Sequence, residues 1–190
     1  MHHKFWNGRL LGLPYAFFMF VSALWRLFLR KVVSKIKSYN LGGNNCALIG
    51  KHFVVRFPRN VILGNNVLID DNVHIVTEDS KSQIVIEDGV SISTNVVIDY
   101  TGGVSIKKTA HIASQVYIMT HSHGYDYSNP PMGASLIIGE HAFVGARSTI
   151  LSGCNYIGNN AVVGACSVVT KDVPDNTVVA GNPAKIIRKL

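Results

Sequence analysis

From Leu63 to Val169 an aliphatic residue returns every six positions, in five groups of three: Leu63, Ile69, Ile75; Ile86, Ile92, Ile98; Ile106, Ile112, Ile118; Ile138, Val144, Ile150; Ile157, Val163, Val169. A helix would bring apolar residues back every 3.6 positions and a half-buried strand every second one, so a period of six belongs to neither. It fits a short strand and a turn repeated on successive flat faces, the hexapeptide form of a parallel β-helix. Four positions after most of these aliphatics stands a small or β-branched residue, such as Val67, Val90, Ala110, Ala142 or Ser148, where two walls converge. Gly64, Gly139, Gly145, Gly158 and Gly164 follow directly, and Asn65-Asn66, Asp71-Asn72 and Asn159-Asn160 sit at turn positions. Either residue type is expected to accept the positive φ of a corner.

The period breaks only after a group of three. The steps are eleven residues from Ile75 to Ile86, eight from Ile98 to Ile106, twenty from Ile118 to Ile138 and seven from Ile150 to Ile157. A three-sided coil of hexapeptides takes about eighteen residues per turn, so every insertion emerges along one edge of the prism. About five coils are expected, with Ile49 and Val55 continuing them upstream as a degraded first coil. An end of such a rod exposes inward-facing apolar residues and needs a cap. The N-terminal helical segment suits one end, and the segment from Val173 onward is expected to leave the coil and cover the other.

Apolar residues make up 47% of the 190 and charged residues 15%, which excludes a disordered solvating chain. The net charge of +7 is uneven. Ten bases precede the first acid, Asp70, whereas the remainder carries eleven acids against eight bases. Without a recognition module or basic–aromatic interleaving in that remainder, nucleic acid is not an expected partner. Cys46, Cys154 and Cys166 show no CxxC spacing and read as buried free thiols in a reducing compartment. Residues 1–40 form a hydrophobic and basic helical segment before the β-helix of 41–190. Its uncharged run from Leu10 to Trp25 is short of a bilayer span, and Pro14 interrupts it. The following stretch sets Leu27, Val32 or Val33, and Ile36 among Arg26, Arg30, Lys31, Lys35 and Lys37. Residues 10–37 therefore suit an anionic membrane surface, each nearby base contributing about 1 kcal/mol. Packing on another subunit is the competing use, and a secretory signal cleaved after Val21-Ser22-Ala23 a third.

The longest insertion, 119–137, carries His121, His123, Asp126, two tyrosines and Pro130-Pro131. Loops on a rigid scaffold tend to carry function, and imidazole suits general-base work near neutral pH. The stretch Ile138-Gly-Glu-His-Ala-Phe-Val-Gly-Ala, the run from Ile157 through Val168-Val-Thr-Lys-Asp-Val-Pro174, and Val179-Ala-Gly-Asn-Pro-Ala-Lys-Ile-Ile-Arg188 together resemble the hexapeptide-repeat acyltransferases. The resemblance covers about residues 60–190 and is nearest to the galactoside, maltose and capsule or exopolysaccharide O-acetyltransferases. It implies an all-β left-handed parallel β-helix acting as a homotrimer. A cytoplasmic location is expected, and the basic N-terminal segment suggests a peripheral one at the inner face of the cell membrane. Acetyl-CoA is the implied donor, a saccharide hydroxyl the acceptor, and no metal is implied.

The resemblance also implies site residues. The catalytic base falls five residues beyond Ile118, at His123, with His121 as runner-up because a two-residue shift in the loop's departure exchanges them. Asp99 faces the acceptor cleft, binding a hydroxyl or orienting the histidine, with Asn95 a weaker candidate. Ala146 and Ala165 contact the cofactor through backbone groups, Thr170 and Lys171 meet its adenine nucleotide end, and Lys185 and Arg188 lie near its phosphates. Phe143 stands where many relatives carry Trp, losing the indole N–H. Amino-sugar N-acetyl transfer and a serine-type acceptor are the nearest alternatives. A γ-class carbonic anhydrase, with zinc held by histidines drawn from His74, His111, His121, His123 and His141, and a non-enzymatic β-solenoid scaffold are the more distant ones.

Overall fold

The computed structural model describes residues 16–25, 28–29, 32–33 and 47–190. The chain divides into two compact units, 1–33 and 34–190. In the first, the described residues form a helix, α1, over 16–25 with further helical residues at 28–29 and 32–33. No described helix is long and apolar enough to cross a membrane. Phe17, Phe18, Phe20, Leu24 and Trp25 are all exposed.

The second unit is a left-handed parallel β-helix with three flat faces. Face A stacks the strands Leu48–Ile49, Leu68–Ile69, Ser91–Ile92, His111–Ile112, Phe143–Val144, Val162–Val163 and Thr177–Gly181. Face B stacks Val54–Val55, His74–Val76, Val97–Asp99, Tyr117–Ile118, Thr149–Ile150 and Val168–Val169. Face C stacks Val61–Leu63, Ile84–Ile86, Val104–Ile106, Leu136–Ile138 and Tyr156–Ile157. The register keeps like on like, as in Ile75 against Ile98, Ile98 against Ile118 and Ile118 against Ile150. All fifteen periodic aliphatics are buried, Leu63 being the most exposed at 5%. The six-residue spacing thus makes three continuous interior ladders, and backbone bonds between coils satisfy the polar groups that burial would leave unpaired.

Three expectations need correction. The prism has seven rungs on face A rather than about five coils. Ile49 pairs in register with Ile69, and downstream Val173 bridges Ile157 while Val179 pairs with Val163. The segment from Val173 therefore continues the coil. Only Ala184–Lys189 reverses, pairing antiparallel with Thr177–Gly181 to close the edge of face A. The second correction concerns the corners. Asn66, Asn72, Asn95 and Asn160 do adopt positive φ, but Gly64, Gly139 and Gly158 do not. Those glycines sit where the next coil passes too closely for a side chain: a Cβ on Gly158 would lie 2.4 Å from the Asp175 nitrogen. Third, Cys154 is buried but Cys166 is an exposed corner residue with φ of 58°. Cys46 lies outside the described residues.

Candidate active site

All the insertions do emerge on the edge between faces B and C, as the placement of the breaks requires. After Ile118 the chain leaves the prism and returns at Leu136. The loop's base is a two-residue ladder in which His121 opposes Gly133 and Ser122 opposes Met132. It is tied to the coil by hydrogen bonds from the Ala134 N–H to the Thr120 carbonyl (2.7 Å) and from the Gly102 N–H to Thr120 Oγ1 (2.9 Å). Gly102 has to be glycine, because a Cβ there would lie 2.3 Å from the Ala134 carbonyl oxygen.

Asp99 ends its face B strand directly above this base and is 6% exposed. Its Oδ1 accepts from the Thr101 N–H (3.2 Å) and Thr101 Oγ1 (2.5 Å). Its Oδ2 accepts from the Thr120 N–H (2.9 Å) and meets the Nδ1 of His121 at 2.8 Å. Burial alone would raise the Asp99 pKa, but these bonds from Thr101, His121 and Thr120 outweigh it and hold the carboxyl below the ordinary range. An ionised carboxylate only accepts, so His121 Nδ1 carries a proton, and in the neutral ring the lone pair lies on Nε2. The His121 ring is 12% exposed, which fixes its orientation as well as its tautomer.

His123 is held differently. Its Nδ1 donates to the Asn129 carbonyl at 2.6 Å, and Asn129 Nδ2 donates back to the His123 carbonyl at 3.3 Å. A carbonyl fixes the same tautomer but offers an imidazolium no counter-charge. The two rings meet edge to face, 5.1 Å between centroids. Both Nε2 atoms face Glu78, from His121 to Oε1 at 3.7 Å and from His123 to Oε2 at 3.5 Å. Glu78 is a site residue that sequence reasoning missed. A signal was available: it lies two positions past Val76, which pairs with Asp99 one coil on, and so stands in the edge insertion above the loop. Its N–H is fixed by Thr101 Oγ1 at 3.0 Å. Beneath the histidines opens a cavity of about 440 Å³ lined by Met119, His121, His123, Tyr125, Tyr127 and Leu151 among others.

The remaining anticipated residues are not all gathered at this edge. Thr170 and Lys171 follow the last face B strand and share it. Ala146 and Ala165 lie on the opposite side of face B, at the A–B edge, stacked so that the Cys166 N–H donates to the Ala146 carbonyl at 2.9 Å. Neither alanine N–H has a hydrogen-bond acceptor among the described residues. Asn95 stands on that same A–B edge, accepting from Asn72 Nδ2 at 3.2 Å, away from Asp99 and the histidines. Lys185 and Arg188 are exposed on the terminal reversed strand. The five histidines of the zinc reading are scattered: His74 on face B, His111 on face A stacked against Phe143, and His141 at the C–A edge beside Thr109. Only His121 and His123 adjoin.

No protein-family model matches the sequence. The O-acetyl transferase WbbJ of Escherichia coli (strain K12), ascribed to lipopolysaccharide biosynthesis, is 32% identical over 158 residues, 76% of this chain and 80% of WbbJ. Galactoside O-acetyltransferase of the same strain is 33% identical over 134 residues, 70% of this chain but 56% of that enzyme. Among solved structures, PerB from Caulobacter crescentus, in complex with CoA and GDP-perosamine, superposes with a TM-score of 0.60 at 26% identity. That match covers 77% of this chain and 59% of the PerB chain. The N-acyltransferase AntD from Bacillus cereus shares the fold, with a TM-score of 0.68 at 22% identity over 75% of this chain and 80% of its own.

Proposed function

The chain belongs to the hexapeptide-repeat acyltransferases of left-handed β-helix fold, and from that premise we propose that it moves an acetyl group from acetyl-CoA to a hydroxyl of a saccharide with His121 as general base. The observation that carries the reading is the hydrogen bond between His121 Nδ1 and Asp99 Oδ2 at 2.8 Å. It supports His121, with a carboxylate behind its Nδ1, over His123, whose Nδ1 bonds a backbone carbonyl. As the acceptor hydroxyl attacks the acetyl carbonyl, Nε2 takes its proton, and Asp99 stabilises the imidazolium that forms. The proton on Nε2 is then available to the departing sulfur. His123, Tyr125 and Tyr127 wall the cavity in which a sugar would lie.

Acetyl-CoA, when bound, supplies a thioester whose carbonyl is open to attack. The residues present fit it. Ala146 and Ala165 offer small side chains and unpartnered N–H donors, suited to amide and carbonyl oxygens, while Lys171, Lys185 and Arg188 supply exposed cations for phosphate. These residues occupy a different edge of the prism from His121, except for Thr170 and Lys171. A homotrimer, in which the A–B edge of one copy faces the B–C edge of the next, would unite the two sets. The N-terminal segment supports a location at an anionic membrane surface on the cytoplasmic side. There the apolar α1 and the seven bases within residues 1–37 have complementary partners.

The test is turnover with labelled acetyl-CoA over a panel of neutral sugars, amino sugars and sugar nucleotides. His121→Ala should lower kcat by roughly 10²–10⁴-fold with acetyl-CoA binding retained. His123→Ala at that level with His121→Ala near normal would reverse the assignment, and transfer only to amino sugars would make the reaction N-acetylation. The panel's WbbJ-like and galactoside-like acceptors are the first to try.

A further inference from the structure

The imidazoles of His121 and His123 are each anchored by a donated Nδ1–H, one on a carboxylate and one on a backbone carbonyl. This is how protein groups hold metal-ligating histidines, since the outer partner fixes the tautomer and aims Nε2. Here both Nε2 atoms are aimed at the two oxygens of one carboxylate, Glu78, at 3.7 and 3.5 Å. One ligand atom from each of the three residues lies within 4.8 Å of the other two. Tetrahedral zinc with bonds near 2.1 Å sets neighbouring ligand atoms about 3.4 Å apart. Both imidazole–carboxylate distances are already close to that but reach different oxygens, and Glu78, with its side chain 46% exposed, has room to turn one oxygen toward both rings. Two neutral imidazoles and a carboxylate would offer three convergent electron-pair donors, the set a zinc-type cation takes.

We propose that Glu78, His121 and His123 form a binding site for a divalent zinc-type cation, and that a cation held there switches acetyl transfer off. Zinc on these three ligands keeps a fourth position for water. It occupies the Nε2 lone pair that the acceptor hydroxyl needs, so cation and turnover exclude one another. The cation is a regulator, not a participant in the chemistry. The binding half of the proposal stands on geometry alone. The inhibitory half rests on the reading of His121 as base.

The experiment uses the full purified chain. Zinc chloride is titrated in competition with a chromogenic chelator, and cobalt chloride provides the visible absorption that reports tetrahedral coordination. One equivalent should be lost in Glu78→Gln, an isosteric change at an exposed position, and also in His123→Gln, each weakening that equivalent roughly tenfold or more, as loss of a metal-site partner does. The comparison separates this site from zinc taken up by His2, His3 or the exposed Cys166. In parallel, zinc should inhibit the wild type reversibly with EDTA and leave the residual turnover of Glu78→Gln much less affected. Zinc stoichiometry and affinity identical in wild type and Glu78→Gln would overturn the site. An equivalent that Glu78→Gln removes, but that does not inhibit, would keep the site and overturn both the switch and the assignment of His121 as base.

Discussion

Asp99→Asn tests the site with the smallest change of shape. The carboxylate accepts from the Thr101 N–H and Oγ1 on Oδ1, and from the Thr120 N–H, Thr120 Oγ1 and His121 Nδ1 on Oδ2. An amide has one oxygen. If it faces Thr120 and His121, its NH₂ confronts the Thr101 N–H, which has no other acceptor among the described residues, and a buried donor goes unpaired at a cost of about 1–3 kcal/mol. If it turns round, the NH₂ meets the Thr120 N–H and donates to His121 Nδ1, forcing the proton onto Nε2 and leaving no lone pair for the acceptor. Either way the imidazolium loses the carboxylate bonded to its Nδ1. The expected result is a fall in kcat of roughly 10²–10⁴-fold, the scale of lost general-base catalysis, with acetyl-CoA affinity within a factor of about three. Steady-state release of CoA thiol, followed with a chromogenic disulfide against the best acceptor of the panel, measures it. Urea unfolding reads the stability loss. Normal turnover in Asp99→Asn, with His121→Ala inactive, would refute the claim that Asp99 sets the tautomer.

Asp99 also predicts a pH effect. Its folded pKa is depressed, so its contribution to stability is fully present above an unfolded value near 3.9 and is lost as pH falls through the folded one. Acid unfolding of wild type should show that slope and Asp99→Asn should lack it. Ile112→Ala, in the middle of the face A ladder with no exposed surface, should destabilise by about 2–5 kcal/mol in urea titration through lost burial and the cavity left behind. A loss below about 1 kcal/mol would contradict the ladder packing. Burial raises the Cys154 thiol to about 12, so iodoacetamide at pH 8 followed by peptide mapping should label the exposed Cys166 and spare Cys154 until the chain is unfolded. Replacing Phe17, Phe20 and Trp25 by serine should abolish sedimentation with anionic liposomes while leaving turnover on soluble acceptors intact.

The sequence by itself determined the prism. The six-residue period specifies which side chains face inward at each rung, and because every break follows a third hexapeptide, it also specifies that all the insertions share one edge. The longest insertion marked both histidines, and the resemblance to the acyltransferase family marked Asp99. What the sequence does not carry is distance between coils. A two-residue shift in where the loop leaves the prism decides whether Asp99 meets His121 or His123, and the departure point is held by the Thr120 and Gly102 hydrogen bonds, which have no periodic signature. Glu78 joins the site from two coils away, about forty residues upstream in sequence, because parallel stacking turns a long separation along the chain into direct contact. The glycines show the same division. Their recurrence is visible in the sequence, but only the approach of the next backbone explains why no side chain fits there.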